Sequence, residues 1–150
     1  MHYIRFAIAT CVALGLGGCA TPYVNNSTMR LLGSHMGYAD YEGAGRLIRV
    51  TFVANDFTTS RDVEVYILRH CAEIAKSKNF KYFQIYDNPA MAIRHQPASI
   101  PTTVLLNGDK RPIGETWLFL TSQDTSTSFD ADAVIAEAQK YSEAKQASNN

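Results

Sequence analysis

Residues 46–87 constrain the fold more than any other stretch, because their hydrophobic period changes twice. Over residues 46–54, Ile48, Val50, Phe52 and Ala54 fall on one side and Arg49 and Thr51 on the other. A period of two belongs to a strand with one buried face. Over residues 60–78 the spacing becomes helical, with Val63, Tyr66, Ile67, His70, Cys71 and Ile74 on one stripe. Alternation returns at residues 81–87, where Tyr82, Gln84 and Tyr86 oppose Phe83 and Ile85. Each of these elements has one apolar side to bury, so helix must lie on sheet, as in α+β folds.

Local signals set the boundaries. Thr59 with Asp62 three residues on has the form of a capping box, with Asp in place of the usual Glu or Gln. Lys76 and Lys78 suit the negative end of the helix, and Asn79 suits its C-terminal cap. Residues 37–41 read as a short strand, hairpinned to residues 46–54 through Glu42-Gly43-Ala44-Gly45. Residues 88–101 hold Pro89, Pro97 and Pro101 and read as an extended loop. Residues 102–106 and 116–121 read as two further strands, joined around Asn107-Gly108-Asp109 by more than a two-residue turn. A polar linker over residues 121–128 leads to a last helix at about 131–144, with Asp130 as N-cap and Phe129 and Val134 as a hydrophobic staple. The expected fold is α+β: an antiparallel or mixed sheet of four to five strands with two helices packed on it.

The first twenty residues carry a different signal. One fixed positive charge, Arg5, precedes an apolar run over residues 6–16. Eleven helical residues span about 17 Å, too short for a bilayer core of roughly 30 Å but suited to a secretory signal. Leu16-Gly17-Gly18-Cys19 then has the form of a lipobox, with Cys19 as the lipid attachment site. Two acyl chains already hold a protein stably on a membrane. Ala20, rather than Asp, follows the cysteine, which points to sorting to the outer membrane with the domain on the periplasmic side. The expected organisation is a signal peptide over 1–18, an acylated cysteine and tether over 19–36, one domain over 37–145 and a disordered tail over 146–150.

Charge and cysteine content narrow the function. The whole chain has fourteen basic and fourteen acidic residues. Loss of residues 1–18 removes Arg5 and no acid, leaving thirteen against fourteen and a net charge of −1. That balance argues against a nucleic-acid partner, which needs a clustered basic surface. Of three cysteines, Cys11 lies in the signal and Cys19 takes lipid, so Cys71 has no partner for an internal disulfide. Its place on the apolar stripe reads as a small buried hydrophobe rather than a reactive thiol. His35, His70 and His95 lack metal-ligand spacing, so neither a metal nor another cofactor is implied. His70 reads as a satisfied core or edge histidine, with Glu73 one turn away. No G-x-S-x-G, phosphate loop or dinucleotide fingerprint is present. Tyr82, Phe83 and Tyr86, with Phe80, Trp117 and Phe119, are candidates to line a groove. On one face of the strand over residues 81–87, Tyr82, Gln84 and Tyr86 form the candidate interaction surface, because tyrosine combines a large contact area with a polar tip.

Several of these segments together resemble an uncharacterised family of small proteobacterial envelope lipoproteins. They are the lipobox, Gly37-Tyr38-x-Asp40, Arg49-Val50-x-Phe52-x-x-Asn55-x-x-Thr58, Val63-Glu64-x-Tyr66-x-Leu68, Ala72-Glu73-Ile74 and Tyr82-Phe83. Phe129-Asp130-Ala131 is similar to that family's Tyr-Asp-Ala segment. The chain departs at His70, where the pattern has arginine, and near Thr59-Ser60-Arg61, where the arginine comes one residue late. The resemblance implies an envelope lipoprotein with a strand–helix–strand core and brings no activity with it. The leading expectation is a non-enzymatic binding or structural module, anchored by lipid and meeting an envelope protein partner. The alternative is a small envelope hydrolase or ligand-binding enzyme. A tyrosine-bearing sheet face favours the first, and a pocket with convergent polar groups of shifted pKa favours the second.

Overall fold

The computed structural model describes Tyr23, Asn25, residues 36–105 and residues 111–148. The expected signal peptide, the expected lipid attachment site Cys19 and the expected turn at Asn107-Gly108-Asp109 lie outside the described residues. The chain is α+β, an antiparallel sheet of five strands with two main helices packed on it and a two-residue strand added at one edge. In chain order the elements are β1 (Gly37–Glu42), β2 (Leu47–Val53), α1 (Ser60–Ser77), β3 (Tyr82–Tyr86), α2 (Pro89–Ile93), β4 (Thr102–Leu105), β5 (Pro112–Thr121), β6 (Phe129–Asp130) and α3 (Ala131–Ser148). The sheet order is β1-β2-β5-β3-β6, with β4 also paired to β5. All of these pairings are antiparallel.

The expected hairpin is formed by β1 and β2, with Gly37 opposite Val53 and Glu42 opposite Ile48. A short 3-10 turn joins them, and Gly45 and Arg46 both adopt positive φ, at 65° and 72°. The second hairpin strand of the expected pair, residues 116–121, is in fact the ten-residue β5 beginning at Pro112. It is the centre of the sheet, pairing with β2 on one side and with β3 and β4 on the other.

The alternation of β5 divides the sheet into two faces. Gly114, Thr116, Leu118 and Leu120 are buried, and the residues between them are partly exposed. A Cβ at Gly114 would lie 2.3 Å from Ile67 Cδ1 and 2.5 Å from Val63 Cγ1, so α1 packs directly on this backbone. Val50, Phe52, Ile67, Phe83, Ile85 and Leu118 are fully buried in the same layer. Cys71 joins them, and burial pushes its thiol well above the ordinary range.

Both helices start as the local residues dictate. The Thr59 hydroxyl accepts from the Asp62 N–H at 3.1 Å, and the Asp62 carboxylate accepts from the Thr59 N–H at 2.8 Å. At the other end, Asn79 takes φ 62°. Its N–H donates to the Lys76 carbonyl and that of Phe80 to the Ala75 carbonyl, closing the last turn as a Schellman motif. Asp130 Oδ1 accepts from the N–H groups of Asp132 and Ala133, capping α3. Phe129 and Val134 both pack against the core cluster.

Two expectations are corrected. Residues 88–101 are not simply extended. Asn88 accepts from the Met91 N–H, Pro89 occupies the first turn, and a five-residue helix forms. Proline at the start of a helix forfeits an N–H that would lack an intrahelical partner anyway. The last helix also does not stop near 144 with a disordered tail from 146, since α3 continues to Ser148. Tyr141 and, on that extension, Lys145 both reach Asp62 on α1, which holds the helix to the domain.

Candidate functional site

One residue along each strand from the core positions, the side chains turn to the other face. Leu47, Arg49 and Thr51 of β2 lie opposite Phe119, Trp117 and Glu115 of β5. Across the other edge of β5, Phe119 lies opposite Gln84 and Trp117 opposite Tyr86. Trp117 lies against Gly43, where a Cβ would come within 2.7 Å of the indole, so only glycine admits that approach. Arg49 pairs diagonally with Glu115 at 2.6 Å. The Arg46 guanidinium stands 5.7 Å over the Phe119 ring.

Among the described residues, no long helix covers this face. The short α2 and the loop after it fold over one side, and the loop at residues 123–127 borders the other. Between them is a cavity of about 590 Å³. Its floor is Leu47, Gln84, Tyr86 and Phe119. Ala92, Ile93 and Pro97 form an apolar wall, and Thr125 and Thr127 form a hydroxyl-bearing one. Ile93 stands at the rim with 80% of its surface exposed.

The floor is ordered by a chain of hydrogen bonds. The Tyr86 hydroxyl donates to Gln84 Oε1 at 2.9 Å, and Gln84 Nε2 donates to Thr127 Oγ1 at 3.0 Å. Both ends of the Gln84 amide are therefore engaged. Burial raises the Tyr86 hydroxyl above its ordinary pKa, so it remains a neutral donor. Among the described residues that line the cavity there is no carboxylate, lysine, arginine or cysteine. The lining offers apolar contact and hydrogen bonding from Gln84, Tyr86, His95 and the threonines.

The structure separates the three residues expected to form one interaction surface. Gln84 and Tyr86 meet at the cavity floor. Tyr82 lies farther along β3, half-buried, opposite Thr121 and Asp130, with Lys81 Nζ 4.9 Å from its ring centroid. The expected exposed tyrosine pair is corrected at Tyr86, which keeps only 3% of its surface, because the segment after β3 folds back over it. Of the aromatics expected to line a groove, Tyr86 and Phe119 do so, whereas Phe83 belongs to the core, stacked on Phe129 at 5.3 Å. Leu47 and Ile93 carried no signal in the sequence beyond their strand and loop positions.

A second cluster lies at the β1 edge on the helix side of the sheet. His70 is almost buried, and its Nε2 lies 2.9 Å from Asp40 Oδ1. Its Nδ1 is 3.4 Å from the Tyr23 hydroxyl and 3.8 Å from Glu73 Oε2. Tyr23 donates a short hydrogen bond to Glu73, and Arg69 Nε donates to the other oxygen of Glu73 at 2.9 Å. Burial would raise the Glu73 carboxyl, but hydrogen bonds from His70, Tyr23 and Arg69 outweigh it and bring it down to about 2. Burial, with Glu73 beside it, raises the Tyr23 hydroxyl. His70 is thus an edge histidine with its ring nitrogens occupied. Among the described residues, no group of three or more His, Cys, Asp or Glu side chains is arranged to hold a metal ion.

Asp62 forms a third cluster, fully buried between α1 and α3. Burial alone would raise its carboxyl, but Lys145 at 2.5 Å, both Thr59 donors and Tyr141 at 2.9 Å hold it below the ordinary carboxylate range. The Lys145 and Tyr141 contacts fasten α3 to α1, and the Thr59 contacts cap α1. Comparison with known proteins returns no match: no family model fits the chain, and no curated protein or solved structure is similar to it.

Proposed function

We propose that the protein is a lipid-anchored module of the outer membrane, facing the periplasm, whose open sheet face binds a neutral, partly apolar segment of an envelope protein. The observation that carries this reading is the cavity on that face, with a largely aromatic and aliphatic floor and hydrogen-bonding side chains that include His95 but no carboxylate, lysine or arginine among the described residues. Aromatic side chains beside satisfied polar groups are typical of surfaces that recognise a partner. A hydrolase needs an activated nucleophile or an acid–base pair in its cleft. The described lining holds His95 but no carboxylate or cysteine beside it to complete such a set, so the non-enzymatic reading is preferred. The anchor rests on Leu16-Gly17-Gly18-Cys19, and the likeness to small proteobacterial lipoproteins agrees with it.

The test has two arms. Palmitate labelling and fractionation address the anchor: Cys19→Ala should abolish label and leave uncleaved precursor, and label retained by that variant would refute acylation at Cys19. Site-specific photo-crosslinking in intact envelopes addresses the face. A crosslinker at Ile93, on the rim, should capture one discrete protein, and a crosslinker at exposed Glu137 on α3 should not. Equal capture from both positions would remove the open face as the binding site.

A further inference from the structure

Tyr23 and Asn25, four and six residues after the expected acylation site, are fastened to the domain. The Tyr23 ring lies 4.9 Å from Tyr38 and 5.6 Å from Tyr66, with the Arg69 guanidinium 4.4 Å over it. Its hydroxyl donates to Glu73. Two residues on, Asn25 forms a parallel bridge with Tyr38 on the edge strand β1. Ring, hydroxyl and backbone therefore all engage the same edge, and Tyr23 packs against the core cluster.

We infer that Tyr23 and Asn25 form a clasp that holds the β1–α1 edge of the domain against the lipid headgroups of the membrane carrying Cys19. The inference rests on the acylation reading above. Four residues lead from Cys19 to Tyr23, so the clasped edge stands at most about 14 Å of chain from the lipid. Without the clasp, Gly37 at the start of the sheet is reached from Cys19 by up to about 60 Å of chain. The clasp thus shortens the reach roughly fourfold. The cavity opens on the opposite face of the sheet from the Tyr23 partners, so it stays clear of the clasped edge. Its partner must then come to the membrane surface, because the domain cannot travel far from it.

Inserts on either side of the clasp separate the alternatives. Trp117 is the single tryptophan and serves as an energy-transfer donor to a dansyl-labelled headgroup. The full acylated chain is placed in vesicles of phosphatidylethanolamine and phosphatidylglycerol containing that lipid. Intact mass is measured first, and a chain without acyl groups refutes the anchoring reading independently of the clasp. A ten-residue Gly/Ser insert between Ala20 and Thr21, about 17 Å in r.m.s. length, should lower transfer roughly twofold or more. The same insert between Arg30 and Leu31 should leave transfer unchanged, since it lies beyond the clasp. In a Tyr23→Ala background the two inserts should act alike. Any other pattern in the otherwise native chain, including equal losses or no loss from both inserts, overturns the inference.

Discussion

On the helix side of the sheet, Val50, Phe52, Phe83, Ile85 and Leu118 are fully buried, whereas their strand neighbours Arg49, Gln84, Trp117 and Phe119 keep part of their surface in solvent. Backbone and register are shared, so the difference lies in what covers each face. Two eighteen-residue helices cover the first, with α1 packed down to the backbone of Gly114. Among the described residues, the second is covered only locally, by the five-residue α2 and its neighbouring loops. A short helix cannot fill the space over four strands, and what is left is a cavity with aromatic side chains in its floor. Apolar residues that a fold does not need for its core mark a surface for something else.

Mutations should break this contrast in a graded way. Phe83→Ala on the helix side should cost about 3–5 kcal/mol, because the ring is fully buried and stacked on Phe129. A denaturant melt measures it. Cys71 reports the same event: its thiol should be slow to label in the native protein, and Phe83→Ala should speed labelling by roughly 10²-fold or more through the opened state. Fast labelling of the native chain would show that the helix face is not sealed.

Asp62→Ala should come next, at about 2–4 kcal/mol, since it removes the cap of α1 and the buried partner of Lys145 together. The same residue sets an acid limb. Asp62 and Glu73 are both held below their ordinary carboxylate range in the folded protein. As pH falls the unfolded chain takes up these protons first, so stability present above about pH 4.5 should drain away toward about pH 2. Urea midpoints measured across that window should fall steeply for the native chain and less steeply for Asp62→Asn. An acid limb of equal slope in both would show that Asp62 is not held down by its partners.

Changes on the open face should be smaller in stability and larger in binding. Tyr86→Phe removes one hydrogen bond to Gln84 and should cost about 0.5–1.5 kcal/mol in a thermal melt. Ile93→Ser should change stability by no more than about 0.5 kcal/mol, because the side chain is 80% exposed. It should nevertheless reduce copurification of the crosslinked partner. An Ile93→Ser variant that melts early would make that residue part of the fold, and one that keeps its partner would move the site elsewhere.

The sheet and its helices were legible because their signals are repeated and short in range. The alternation at residues 46–54 and the stripe at residues 60–78 fall within about a residue of β2 and α1. The β5 start was missed because Ile113 and Gly114 offer little alternation before Glu115, and Pro112 reads as a breaker although it begins the strand. The candidate site was legible only in part. Alternation placed Gln84 and Tyr86 on the face away from the core, as observed. It carried no information on whether a later segment covers that face, and α2 does so at Tyr86.

What the sequence determined by itself was local: the strand and helix periods, the Thr59–Asp62 box, the left-handed Asn79 and the Asp130 cap. Each depends on residues within one turn or one pleat, so the chain carries the answer in adjacent letters. Tertiary structure alone decided the rest. It placed Lys145 on Asp62 across 83 positions and Tyr23 on Glu73 across 50. It also brought Leu47, Gln84 and Phe119 to one cavity floor, because strand order puts β2 and β3 on either side of β5. Such contacts depend on which strands become neighbours and how the loops close, and no local pattern encodes either.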